Sequence, residues 1–307
     1  MSRGGHFLER AARARVFGGT PMGRYLRINE AVWARLPPKI RTLRPVESYG
    51  RLLHALVLAH GRREMFHGTF FFRNRPELEL ICRLAVQRGT TGEQVKLAVV
   101  GCSNGAEVYS IGWTIRSAHP SLNLLVNAVD ISPEVIQSAR DGVYPLGVDR
   151  LVREAVLARV TPEEMDRMFE VAGGVARIRP WLKEGIAWHQ ADAADPRLAV
   201  SLGLQDIVIA NRLLCHLEPA VADRVLRAIA RLVAPGGYLF VSGVDLDVRM
   251  AVAESLRWSP VLESMRELHE GDISLRLGWP TKYWGLEPFD AKRSDWQRRY
   301  ASVFQVA

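Results

Sequence analysis

The chain has 307 residues, 48% hydrophobic and 24% charged, the balance of a globular protein long enough for one large domain or two modest ones. No run approaches the ~18 apolar residues of a membrane-spanning helix, and the Arg-rich start MSRGGHFLERAARARVFGG has no apolar core of signal-peptide length. The formal charge of +8 is unevenly spread, because residues 1–64 hold thirteen Lys or Arg against four Asp or Glu and leave the rest near neutral.

Such a basic lobe reads either as a solvated helical face or as a surface that steers an acidic partner, a nucleic acid or an acidic protein segment, toward the molecule. The three cysteines, Cys82, Cys102 and Cys215, are odd in number and without CxxC spacing. Neither a disulfide framework nor a cysteine-based metal site is expected, and a reducing cytoplasm fits best.

In chain order, residues 1–20 read as a flexible basic arm ending at Gly18 and Gly19. Residues 21–90 read as a helical lobe, with apolar residues at helical spacing over 49–59 and 78–86. Pro37 and Pro38 break it, and Pro76 suits a first helical turn. Over 91–247, short β-rich runs alternate with helices. Residues 95–101 (VKLAVVG) form a near-continuous apolar run, the pattern of a parallel strand covered on both faces. A glycine turn and a helix over 107–117 follow. Residues 123–129 predict a second strand ending at Asp130, with Ser132, Pro133 and Glu134 opening the next helix. Further strands are predicted at 186–190, 206–210 and 238–243, and the helix over 219–233 places Val221, Val225, Leu226, Ile229, Leu232 and Val233 on one stripe, ended by Ala234-Pro235-Gly236-Gly237. This alternation predicts a doubly wound α/β sheet with its ligand at the carboxyl ends of the strands. The last sixty residues, 248–307, carry half of the eight tryptophans and read as a separate extension: a cap over the site, a face for a second copy of the chain, or packing against the sheet.

Four strand ends carry chemistry. Gly101, Ser103 and Gly105 lie in a turn between strand and helix where backbone N–H groups can approach a ligand closely. Neither GxGxxG nor GxxxxGKS is present, which disfavours a dinucleotide or a nucleoside triphosphate. Asp130, followed by Ile131, ends the second strand, where a carboxylate accepts from both ribose hydroxyls of a nucleoside or caps the following helix. Asp192, followed by Ala193, ends a third strand, and its carboxylate would accept from an adenine amino group or lie in a surface loop. The fourth end is D-I-V-I-A-N-R-L-L-C-H-L, in which Asn211 and Arg212 precede His216.

Together these ends resemble class I S-adenosylmethionine-dependent methyltransferases, and further stretches resemble the chemotaxis-receptor methyltransferase (CheR) type. The segment 69–73 (TFFFR) is similar to that family's T-x-F-F-R, and 102–110 (CSNGAEVYS) to its C-S-T-G-E-E-P-Y-S. The stretches DISPEVI and ARDGVYP resemble its D-I-D-x-x-V-L and A-R-x-G-x-Y, and Arg167-Met168-Phe169 leads into a stretch like its small β insertion, here near 165–182. The resemblance covers roughly 45–245 and implies a Rossmann-like sheet with helices on both faces behind a small helical lobe. It implies S-adenosyl-L-methionine as cofactor, with contacts at Thr69, Arg73, Glu107, Asp130, Asp192 with Ala193, and Asn211 with Arg212. His67 replaces a family asparagine near the cofactor. Glu107 would face the α-ammonium of the methionine moiety, and Arg73 would orient an acceptor carboxylate beside the transferable methyl. The implied reaction is O-methylation of a carboxylate, a protein glutamate for the family, without a metal.

The departures cluster on the acceptor side. Asn211-Arg212 inverts the family's order, His216 replaces a family tyrosine, and the loop at Gly173-Gly174 is short. A small-molecule acceptor with His216 as general base, and a cofactor-binding sensor without turnover, therefore stay open. A nucleic-acid methyltransferase is disfavoured, because no N/D-P-P-Y/F tetrapeptide follows DIVIA.

Overall fold

The computed structural model describes residues 20–61, 68–89, 92–147, 156–272, 275, 278–282 and 285–307. His67 and nearly all of the expected N-terminal arm lie outside these residues. A seven-stranded sheet forms the centre, in the order β6-β2-β1-β7-β8-β10-β9. Its strands are β1 (Val95–Val100), β2 (Leu124–Asp130), β6 (Ile186–Gln190), β7 (Gln205–Ile209), β8 (Val233–Phe240), β9 (Ser259–Pro260) and β10 (Val303–Gln305). The first five in space are parallel, and β10 runs antiparallel to both β8 and β9. A second, antiparallel sheet of β3 (Val143–Pro145), β5 (Val175–Ile178) and β4 (Phe169–Ala172) buries Tyr144, Phe169, Ala176 and Ile178 in a core shared with the first. It begins earlier in the chain than the insertion expected near 165–182, because Val143–Pro145 pairs with β5.

The apolar run of β1 feeds two cores by simple alternation. Leu97 and Val99 point into one, with Val126, Ala128, Ile207 and Ile209. Ala98 and Val100 point into the other, with Val129, Val208 and Leu239. Helices pack on both sides: α3 (Arg75–Arg88) and α4 (Ala106–Ala118) bury residues in the first core, and α6 (Pro219–Ala230) and α7 (Leu246–Ser255) in the second. Helix α5 (Pro133–Asp141) follows β2 and is capped by Ser132, whose Oγ accepts from Val135 N at 3.3 Å.

The expected turn at Ala234-Pro235-Gly236-Gly237 does not end a helix running to Val233. Helix α6 stops at Ala230, and β8 already begins at Val233, with a register irregularity opposite Gln205–Ile207. Gly236 takes φ +71° and donates its N–H to Val306 O, so the bend is held by the extension.

Helices α1 (Pro21–Arg35) and α2 (Arg44–His60) form the lobe ahead of the sheet. It is anchored on two sides, through Leu26, Leu53 and Val57 against Cys215, and through Trp33 against Trp279, whose rings meet edge to face at 5.1 Å. The tryptophan-rich tail joins the main sheet rather than standing apart, since β9 and β10 are its last two strands.

Candidate active site

The chain order of the sheet reverses beside β1: β2 and β6 lie on one side, β7 and β8 on the other. Loops leaving the carboxyl ends of β1 and β7 therefore diverge and leave a crevice between them. A cavity of about 290 Å³ opens there. Its lining includes Thr69, Arg73, Gly101, Ser103, Glu107, Asp130, Ile131, Asp192, Ala193, Asn211, Arg212 and His216, so the four strand ends converge on one space.

The glycine turn uses three left-handed residues in five: Gly101 (φ +77°), Ser103 (φ +50°) and Gly105 (φ +84°). Gly105 does not line the cavity. A Cβ there would stand 3.1 Å from the Ala139 Cβ and from Trp188, so its part is to let α4 start close against α5 and β6. Asp130 is buried at 6% exposure and closes the turn, its Oδ2 accepting from Ser103 N at 2.9 Å and its Oδ1 from Ser132 N at 3.2 Å. Ser132, not Asp130, caps α5, which leaves the Asp130 carboxylate on the cavity wall. Asp192 lies exposed on the rim, where its Oδ1 accepts from Ala194 N at 2.8 Å.

Across the cavity, the TFFFR segment divides its labour. Phe71 and Phe72 are core, Phe71 meeting Tyr144 and Phe169 edge to face at 5.0 and 5.2 Å. Phe72 takes φ +53° and donates its N–H to Ser110 Oγ. Arg73 turns the other way. Its Nη2 donates to Thr69 Oγ1 at 3.0 Å and Gly68 O at 3.4 Å, and its guanidinium lies 4.4 Å from the Phe70 ring centroid. Burial, and then the like charge of Arg212, lower its pKa to about 10, which leaves it cationic at neutral pH.

Glu107, in the first turn of α4, is held through Asn211. The Asn211 Nδ2 donates to Glu107 Oε1 at 2.9 Å and to Glu77 Oε1 at 2.6 Å, and its Oδ1 accepts from Ser242 Oγ at 2.7 Å. Both amide hydrogens of Asn211 are thus taken by carboxylates, so its side chain sets the carboxylates rather than donating into the cavity. Arg212, at φ +57°, pairs with Asp272 at the end of α8 (Met265–Gly271). His216 ends a 3₁₀ turn, Leu214–His216, on the same wall.

Two charged groups at the site escaped sequence reading. Glu77 looks like any acid in the first turn of a helix, and Asp272 belongs to a tail outside every recognised motif. Each gains its role only from a partner more than fifty residues away in the chain. Leu213, Leu217, Val221 and Val225 supply an apolar wall.

The strand order, with an antiparallel strand set next to the last edge, defines a class I S-adenosylmethionine-dependent methyltransferase fold. Residues 67–247 match the family model described as CheR methyltransferase, SAM binding domain, more than half of the chain, and the protein belongs to that family. S-adenosylmethionine is accordingly its cofactor. The chain is 25% identical over 224 residues to chemotaxis protein methyltransferase 2 of Pseudomonas aeruginosa, covering 69% of this chain and 76% of that one. It is 27% identical over 252 residues to the probable biofilm formation methyltransferase WspC of the same organism, covering 80% and 52%. A 104.1 kDa uncharacterised protein of Rhodobacter capsulatus is 26% identical over 225 residues, 69% of this chain but 22% of that protein. The chain therefore spans a minor part of some relatives and most of others. Among solved structures, magnesium protoporphyrin IX methyltransferase from Synechocystis is similar at 16% identity, with a TM-score of 0.35 and coverage of 61% and 71%.

The donor set of the cavity suits that cofactor. The buried Asp130 and the half-buried Glu107 offer carboxylates of the kind that suit ribose hydroxyls and an ammonium. The small side chains of Ala191 and Ala193 and the apolar wall line the same space. No described helix is long and apolar enough to cross a membrane.

Proposed function

We propose that this protein transfers the methyl group of S-adenosylmethionine to a carboxylate oxygen, that of a protein glutamate or a chemically similar acid. The supporting observation is Arg73: a guanidinium fixed by Thr69 and Gly68 over the Phe70 ring, on the wall of the cavity that also presents Glu107 and Asp130. When bound, the cofactor supplies a methyl group already activated by its sulfonium, so the protein's tasks are alignment and exclusion of water. Asp130 would accept from the ribose, Asp192 from the adenine amino group, and Glu107 from the ammonium. Arg73 would hold an acceptor carboxylate by its fork of donors. A carboxylate with a reference pKa near ~4 is ionised at neutral pH and needs no base. The excess of basic residues over 1–64 favours an acidic protein surface as the source of that acid.

His216 on the same wall supports a second reading, a hydroxyl or amine acceptor with the imidazole as base. The two readings part on the product. Methyl label transferred to a carboxylate leaves as methanol in mild base, and His216→Phe then retains turnover. Base-stable label, lost in His216→Phe, would overturn carboxylate methylation.

A further inference from the structure

The mechanism above uses Glu107 but leaves Glu77 unexplained, although Glu77 is 5% exposed and the Asn211 amide bridges the two carboxylates. Two acceptors on one amide nitrogen lie about 5 Å apart. At that distance, with Glu77 out of water and Glu107 half-buried on the cavity wall, two full negative charges repel.

The charges around the pair come from every element packed against it. Glu77, in the first turn of α3, faces Glu107 of α4, Asn211 after β7, Asp272 at the end of α8, and Arg73. Glu107 faces Arg73 and Arg212. With these groups ionised, three carboxylates oppose the Arg73 and Arg212 guanidiniums, a net charge of −1, with Arg159 standing further off and acting on Arg73 from beside the Phe70 ring. One proton on the pair restores neutrality. An arriving ammonium restores it equally well, so the two compete for one position.

Resting on the cofactor reading given above, we propose that Glu77 is a positioning residue that, with Glu107 on the other side of the Asn211 amide, holds one proton on the pair of carboxyls, and that seating the ligand's ammonium against Glu107 expels this proton to solvent. Cofactor binding is then linked to pH. Each ammonium seated against Glu107 frees one proton, so the positive charge at the carboxylate pair is exchanged one for one while the ligand's own carboxylate lies elsewhere in the cavity, and affinity rises with pH while the empty pair is protonated. Burial, and next the Glu107 charge, raise the Glu77 pKa to about 8, which puts the linkage in the physiological range. The two groups titrate as a pair, with the proton belonging to both.

The test is calorimetry of S-adenosylhomocysteine binding near pH 7 in two buffers of different ionisation enthalpy. 5′-Methylthioadenosine, which keeps the nucleoside but lacks both the ammonium and the carboxylate of the amino-acid chain, serves as control. The wild type should release most of one proton per S-adenosylhomocysteine and none with 5′-methylthioadenosine. Its S-adenosylhomocysteine affinity should rise by up to tenfold per unit between pH 6 and 7.5. Glu77→Gln keeps the Asn211 contact in shape and should abolish both the release and the pH slope. Binding without proton release in the wild type, equal release with both ligands, or undiminished release in Glu77→Gln would each overturn the proposal. The wild-type comparison of the two ligands decides it even if the variant does not fold. A wild type that binds neither ligand would instead overturn the cofactor assignment, and this linkage with it.

Discussion

Arg73 shows how one side chain acquires a direction. Its aromatic neighbours are put to different uses: Phe71 and Phe72 join the main core, whereas Phe70, buried as well, lies beneath the guanidinium and so gives Arg73 a floor. Arg159 also lies against Phe70, at 4.0 Å, and its Nη1 donates to Arg73 O at 2.6 Å, fixing the backbone from which the side chain departs. A group so restrained suits orientation of a planar anion better than general charge attraction. Arg73→Ala should therefore reduce methyl transfer at least a hundredfold while S-adenosylhomocysteine affinity stays within about tenfold, roughly 1.4 kcal/mol. Paired turnover and calorimetric measurements check this, and undiminished turnover would remove Arg73 from the reaction.

The β1–α4 connection is where element geometry becomes chemistry. The strand is apolar on both faces and must be buried, so the chain can leave it only through a tight turn at the sheet's carboxyl edge. The left-handed residues of that turn bring Ser103 N against Asp130 and start α4 with Glu107 pointing back toward the cavity. At Gly105 a methyl group meets both an unfavourable φ and a crowded contact with Ala139 and Trp188. Gly105→Ala should cost about 1–2 kcal/mol, seen as a fall in Tm of roughly 1.5–3 °C, together with weaker S-adenosylhomocysteine binding as the turn shifts. An unchanged Tm would show that the turn has slack the distances do not suggest.

On the scale of the whole molecule, the N-terminal helical lobe and the C-terminal tail are tied to each other. Glu287 in the tail is 6% exposed and accepts from Arg299 Nε at 2.6 Å, Arg299 Nη2 at 2.9 Å and the Tyr300 hydroxyl at 2.8 Å, with Arg51 of the N-terminal lobe 3.8 Å away. Burial alone would raise its pKa, but the hydrogen bonds from Arg299 and Tyr300 outweigh it, and the net shift is downward. A carboxylate with a depressed folded pKa stabilises the fold above its unfolded value, near ~4.3, and that contribution is lost as pH falls through the folded pKa. Thermal melts should therefore show stability falling below about pH 4. Glu287→Gln should lower stability at pH 7 by about 3 kcal/mol and flatten this acid limb. An unchanged melting profile would mean that Glu287 adds nothing to a lobe–tail contact held by Trp33, Trp279 and their neighbours.

The sequence by itself determined the doubly wound centre, the glycine turn and the acids at the ends of β2 and β6, because each is written in neighbouring residues. An apolar run implies a strand covered on both faces, and an acid at its end stands at the sheet's edge. It also pointed to Thr69, Arg73 and Glu107, through segments similar to a known family. Only the tertiary structure decided that Asn211 spends its amide on two carboxylates, that Arg212 pairs with Asp272, and that Val303–Gln305 completes the sheet. The physical reason is sequence separation. Electrostatic pairing and strand addition act through space between segments tens to hundreds of residues apart, and no local pattern of size or polarity encodes which distant charge a buried carboxylate will meet.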